Sequence, residues 1–345
     1  MPESPTPESA MSEKTFATAP IRLQHLYQAR QRTAAFVRRT PLLHSPALSA
    51  QAGSPCYLKL DMLQDTGAFK LRGASNKLLS LSPEQRSRGV VTASTGNHGR
   101  AVAHVAKQLG IPAIVCVSRH VAANKLEPIR ALGADLRNHY ASQDEAESQA
   151  YALAAAEGLV AVSPFDDPDV IAGQGTMGLE MLEQHPELRC AIVPLSGGGL
   201  ISGVALALKT ANPAIRVIGV SMERAPVMYH SLQAGKPVAM PEEDTLADSL
   251  RGGIGLDNRY TFAMVQRYVD DVVLVSEEAI AQAMAFLFRE HGLVSEGGAA
   301  VGVAALLQQQ VQQGGDTVVV TCGRNVAMGL FLRTVQPWLE QHRQS

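Results

Sequence analysis

From about residue 88 onward the chain alternates short β-branched runs with amphipathic stretches, and Gly or Ser stands at most of the junctions. Parallel strands need a long crossover between them, usually a helix, so this rhythm restricts the chain to parallel α/β sheet architecture. GVVTAS (89–94) predicts a strand and GRAVAHVAKQLG (99–110) a helix closed by Gly110. PAIVCVS (112–118) with NKLEPIRALG (124–133), then ADLRNHY (134–140) with DEAESQAYALAAAEG (144–158), repeat the unit. LVAVSPF (159–165) predicts a fourth strand, after which the DDPD turn cluster breaks the rhythm and marks a lobe boundary. In the second lobe CAIVPLS (190–196), RVIGVSM (216–222), DVVLVS (271–276) and TVVVTC (317–322) predict strands with helical stretches between them. No solenoid period is present. The expected architecture is two α/β lobes around a cleft, with chemistry at the strand-to-loop junctions, where open parallel sheets bind ligands.

A chain of 345 residues, 46% hydrophobic and 18% charged, has enough apolar material for two cores. Its formal net charge of −2, without any Lys/Arg block, argues against nucleic acid or an anionic membrane as partner and favours a small molecule. Cys56, Cys116, Cys190 and Cys322 are far apart and form no CxxC, which speaks against a disulfide framework or structural zinc and for the cytoplasm. Residues 1–19 are rich in Pro, Ser, Thr and Glu and lack a cationic head followed by an apolar run. They read as a disordered tail rather than a signal peptide. Gly, Lys or Glu interrupts every apolar stretch before it reaches the roughly 18 residues of a membrane helix.

Three segments could carry chemistry. In DTGAFKLRGA (65–74), Lys70 lies among small and apolar neighbours. Desolvation there would lower its pKa and make its amine a nucleophile toward a carbonyl, although a lone lysine near a helix start is more often a solvated surface residue. SGGGLISG (196–203) lies between an apolar strand and a helical run. It fits a phosphate cradle of backbone N–H groups, or simply a flexible connection. No Lys-Ser/Thr follows the glycines, which excludes the nucleotide-triphosphatase form of such a loop. ASTGNHG (93–99) fits carboxylate binding, or ordinary helix capping by Ser94 or Thr95.

GQGTMG (173–178) matches a dinucleotide fingerprint, but no convincing strand precedes it. The position about 20 residues on is Ser196 rather than the acidic residue that a ribose requires. An NAD reading is rejected on both grounds. The ten histidines show no HExxH and no pair at metal-ligand spacing, so a catalytic zinc is not expected.

Together, in this order, the segments resemble the fold-type II pyridoxal-phosphate (PLP) enzymes that include threonine dehydratase and serine racemase, from about residue 20 to 335. The resemblance implies a two-lobe α/β fold like that of tryptophan synthase β, with parallel twisted sheets and flanking helices. Residues 20–83 and 168–345 would form the large PLP-binding domain and 84–167 the small one. It also implies that Lys70 holds PLP as a Schiff base, with Phe69 packing beside the ring and Asn97 bonding the pyridine hydroxyl. Gly197, Gly198, Gly199 and Leu200 would hold the phosphate, and Ser94, Thr95, Gly96 and His98 would line the substrate carboxylate pocket. TCGRN places Cys322 where the family sets a Ser against the pyridine nitrogen. A thiol is a weak donor and no counter-ion, so elimination should prevail over transamination.

Ala68 replaces a Ser usual in the lysine motif, and Thr95 stands where the racemase has its second base, a Ser. With Ser345 as its last residue, feedback control through the regulatory domain appended to biosynthetic threonine dehydratase is not expected. TGAFKLRGA, ASTGNHGRAVAH and LADSLRGGIGLDNRYTF (246–262) are most similar to the dehydratases of hydroxyectoine utilisation. That implies lyase action on hydroxyectoine or a hydroxy amino acid derived from it, with serine/threonine dehydration or serine/hydroxyaspartate racemisation as alternatives. The racemase holds a divalent cation with a Glu and an Asp six residues apart; here those positions are Ser221 and Val227, so no metal is expected. Homodimers are common in the family.

Overall fold

The computed structural model describes residues 21–341 apart from 95, 122 and 313, so the expected tail and Thr95 lie outside the described residues. Ten strands form two sheets. In chain order they are β1 (Leu42–His44), β2 (Cys56–Lys59), β3 (Val90–Ala93), β4 (Ala113–Ser118), β5 (Asp135–Tyr140), β6 (Val160–Ala161), β7 (Cys190–Pro194), β8 (Arg216–Met222), β9 (Asp271–Val275) and β10 (Thr317–Val320).

The larger sheet has the order β1-β2-β10-β7-β8-β9, parallel except for the β1–β2 pair, and the smaller has the order β5-β4-β3-β6, all parallel. β7 and β10 are apolar runs buried throughout, as strands covered on both faces must be. One face of the large sheet packs Ile192, Ile218 and Val319 against helices Glu277–His291 and Gly297–Leu307. The other packs Val193, Val217 and Val318 against helix Gly199–Ala211.

β3, β4, β5 and β8 fall where periodicity places them, and the helix after β3 closes on Gly110 at φ 65°. β6 is shorter than expected. Val162 N still donates to Val91 O, but Pro164 has no N–H to pair, and Ser163 Oγ accepts from the N–H groups of Phe165 and Asp166 and turns the chain. β1 and β2 have no counterpart in the periodic pattern. β2 finds its parallel partner, β10, near the other end of the chain.

The GQGTMG segment lies inside helix Pro168–Gln184 and its glycines serve packing. A Cβ on Gly173 would overlap the backbone of Arg72 and Gly73, one on Gly175 would overlap Leu26 and Gly203, and one on Gly178 would overlap Ala207. Helix Pro168–Gln184 therefore lies in near-backbone contact with helix Lys70–Ser80 on one side and helix Gly199–Ala211 on the other. Helix Lys70–Ser80 also shares an apolar cluster with the small sheet, through Leu71, Ala74 and Leu78 packed with Val90, Ala101 and Val105. Among the described residues no helix is long and apolar enough to cross a membrane.

Candidate active site

Lys70 opens helix Lys70–Ser80. The preceding residues are tied to the end of β10, with Ala68 bridging Gly323 and Phe69 N donating to Cys322 O at 2.9 Å. Lys70 Nζ donates to Pro164 O at 2.6 Å and lies 5.2 Å from the centre of the Phe69 ring. Burial pushes its pKa from 10.5 down to about 8, against the opposing pull of Cys322 and Glu296. A free amine is thus accessible near neutral pH, as a carbonyl-directed nucleophile requires.

Gly197, Gly198 and Gly199 follow β7 and lead into helix Gly199–Ala211. Gly198 sits at φ 86°, which favours glycine, and a Cβ on Gly197 or Gly199 would overlap Phe165. The loop is therefore walled by the same Pro164–Phe165 segment that meets Lys70. Leu200 is buried in the first turn, and among the described residues no side chain caps this helix. Its leading N–H groups suit an anion.

A second helix start lies at Gly96, ahead of helix Asn97–Leu109, and has no side-chain cap among the described residues. Among the described residues Ser94 Oγ accepts from Gly96 N, at 3.4 Å, rather than from an N–H inside the helix, and Thr95, the other capping candidate, lies outside them. Asn97 is fixed on both ends of its amide: Nδ2 donates to Glu296 Oε1 at 2.8 Å, and Oδ1 accepts from Asn325 Nδ2 at 2.6 Å. His98 is 2% exposed and its Nε2 lies 3.1 Å from Val162 O. A carbonyl only accepts, so Nε2 carries the proton and the buried Nδ1 is left without a partner. Burial and the Lys70 charge push its pKa down to about 3, so the ring is neutral.

The structure adds a residue that sequence reasoning missed. Glu296 is buried at the start of helix Gly297–Leu307 and accepts from Asn97 Nδ2 and, at 3.1 Å, from Asn325 N. Its carboxyl is raised by burial, against the lowering effect of these bonds and one from Ser249. A lone acidic residue inside the apolar run LVSEGGAAVGVAALL was the available signal. Cys322 lies close by, and burial together with the charge of Glu296 holds it well above the ordinary thiol range. It is a protonated thiol.

A buried low-pKa lysine, a glycine cradle at one helix start and an amide-lined second start complement an aldehyde, a phosphate and a carboxylate respectively. The sequence profile of the pyridoxal-phosphate dependent enzymes matches residues 34–323. The chain belongs to that family. It is 42% identical over 319 residues to an L-threonine ammonia-lyase of Thermotoga maritima, covering 92% of this chain and 79% of the relative. Maize serine racemase superposes with a TM-score of 0.86 at 37% identity, covering 94% of this chain and all of that one. A threonine deaminase from T.th. superposes with a TM-score of 0.82 at 36% identity, covering 89% and 99%.

The positions considered for a cation offer no carboxylate: Ser221 is buried with its Oγ 3.4 Å from Met222 Sδ, and Val227 is buried at the start of the next helix. Among the described residues no three His, Cys, Asp or Glu cluster as a metal site.

Proposed function

We propose that this PLP-dependent lyase dehydrates and deaminates a β-hydroxy amino acid, and that its physiological substrate is hydroxyectoine or a hydroxy amino acid derived from it. The observation that carries the reading is the buried Lys70 amine, with a pKa of about 8, set between the glycine-loop wall and the Asn97–Glu296 pair.

Lys70 would hold PLP, Gly197 to Leu200 its phosphate through backbone N–H groups, Asn97 its ring hydroxyl, and Phe69 and Cys322 its ring. Bound there, PLP supplies an electron sink beside the substrate α-carbon. The chain does the rest. Lys70 Nζ takes the α-proton, while Ser94, Thr95 and the N–H groups of Gly96, Asn97 and His98 hold the carboxylate and fix which bond lies within reach of that amine. The Cys322 thiol offers the ring nitrogen no counter-charge, which favours loss of the β-hydroxyl over transamination. Loss of that hydroxyl as water, followed by addition of water and release of ammonia, leaves a 2-oxo acid.

The similarity to a threonine ammonia-lyase and a threonine deaminase supports the reaction class, and the 246–262 segment supports the substrate. Similarity to a serine racemase favours a second reading, racemisation, against which Thr95 in place of a Ser base argues. The family resemblance supports a homodimer in the cytoplasm, and sedimentation of the holoenzyme tests the dimer. Purified holoenzyme incubated with serine, threonine, 3-hydroxyaspartate and hydroxyectoine should release ammonia and an oxo acid. Failure with all four would overturn the reading. D-serine formed from L-serine faster than pyruvate would replace it with racemisation.

A further inference from the structure

Two residues after Lys70, Arg72 joins a buried cluster of two cations and two carboxylates. Arg72 Nε and Nη2 donate to Asp61 Oδ2 and Oδ1 at 2.9 and 2.7 Å; Nη1 and Nη2 donate to Glu180 Oε1 and Oε2 at 2.7 and 3.0 Å. Nη1 also meets Thr176 Oγ1 at 3.0 Å. Lys59 Nζ completes the cluster, with Glu180 Oε2 at 2.5 Å, Thr40 O at 2.8 Å and Gln184 Oε1 at 2.9 Å. Thr40 Oγ1 adds a bond to Asp61 Oδ1 at 2.9 Å. The Arg72 and Lys59 side chains are no more than 1% exposed.

These residues come from separate elements: Lys59 from the end of β2, Asp61 from the turn after it, Arg72 from helix Lys70–Ser80, and Thr176 and Glu180 from helix Pro168–Gln184. Arg72 stands two residues after Lys70, roughly 200° around the helix, so the two side chains leave opposite faces. A guanidinium that grips two carboxylates in two-pronged fashion fixes the rotation of its own helix, which a point charge does not. The start of this helix has no side-chain cap to do that job. Helix Pro168–Gln184, the second jaw of the clamp, is the element in backbone contact with the helix that follows the glycine loop.

We propose that Arg72, clamped by Asp61 and Glu180, is a positioning residue that sets the direction of Lys70 Nζ relative to the glycine loop. The proposal rests on the reading of Lys70 as the point of PLP attachment. It assigns to the cluster a function beyond holding the core together. A buried ion pair is weak as a stability device, because desolvation offsets most of the attraction, whereas its geometric specificity is retained.

The test uses holoenzyme carrying Arg72→Lys or Arg72→Gln. Arg72→Lys keeps the charge and loses the fork. Its kcat per bound PLP should fall roughly 10- to 100-fold, the effect of a misplacement near 1 Å, with KM for the amino acid nearly unchanged. Arg72→Gln leaves a net negative charge in the cluster two residues along from Lys70, whose own charged or titratable neighbours are Cys322, Glu296 and His98. Negative charge favours the ammonium, so the acid limb of kcat and the pH midpoint of the visible Lys70–PLP band should both move to higher pH.

A purely structural cluster predicts lower melting temperatures with kcat, band midpoint and pH limb unchanged in the folded fraction, and that result overturns the proposal. Should both variants fail to fold, Thr176→Val, which removes one bond to Arg72, decides: a lowered kcat at constant KM supports it and an unchanged kcat refutes it. Borohydride reduction and peptide mapping of the wild type separate the two levels. An adduct on another lysine overturns the Lys70 reading and this proposal with it, while an adduct on Lys70 with unaltered Arg72 variants overturns this one alone.

Discussion

Lys70 and Pro164 meet through a hydrogen bond of 2.6 Å from Nζ to the carbonyl oxygen, which joins the start of helix Lys70–Ser80 to the loop leaving the small sheet. Among the described residues no carboxylate contacts the ammonium directly, and burial dominates its pKa. A lysine held at about 8 when folded and 10.5 when unfolded binds fewer protons in the folded state between those values. Stability therefore rises with pH across that window, and below it the full penalty is present. Lys70→Met should stabilise the PLP-free protein at pH 7 by about 1–3 kcal/mol after the lost hydrogen bond is deducted. The gain should vanish near pH 11. Denaturant unfolding at the two pH values checks this, and equal gains at both would refute it.

The same amine governs cofactor capture. Addition of PLP to the PLP-free protein should quicken with pH up to about 8 and then level off, as the fraction of free amine saturates. Stopped-flow absorbance follows it. A rate still climbing toward pH 10.5 would mean that an ordinary solvated lysine is reacting.

Gly197 is required because of Phe165 rather than because of flexibility alone. Gly197→Ala should cost about 1–3 kcal/mol through overpacking and weaken PLP retention. Combined with Phe165→Ala, which opens the space, the loss should be smaller than the sum of the single losses by at least about 0.5 kcal/mol. Strict additivity in a thermal-unfolding cycle would count against this packing.

Glu296→Gln is isosteric but exchanges one acceptor oxygen for a donor where two N–H donors converge. It should cost about 1–3 kcal/mol and free the Asn97 amide, with PLP affinity falling in parallel. Calorimetry with a PLP titration tests both effects, and wild-type affinity in the variant would remove Glu296 from the site.

Exhaustive EDTA treatment should leave turnover and melting temperature unchanged, since Ser221 and Val227 give a hard cation no charged oxygen. A cation-dependent rise in melting temperature that Glu223→Ala abolishes would show the opposite.

Much of this protein is local enough to read directly. RVIGVSM is β8 to the residue, and Gly110 ends its helix in the left-handed conformation. Lys70, the glycine loop and the Asn97 segment each sit at a junction where a helix begins, which is the kind of position a short motif marks. β1 and β2 were not legible, because they are short strands whose stability comes from pairing beside β10 rather than from their own pattern. Glycines that matched a nucleotide fingerprint proved to be helix-packing surfaces, since one spacing of small residues serves a phosphate or a neighbouring backbone equally well.

The sequence by itself determined the parallel α/β class and the family, because periodicity and motif spacing are properties of a single segment. Tertiary structure alone decided that His98 is neutral and turned toward Val162, that Glu296 holds Asn97, and that Arg72 reaches Asp61 and Glu180. Those are relations between segments far apart in the chain. They exist only once burial has stripped water from each polar group and left another segment as its one available partner.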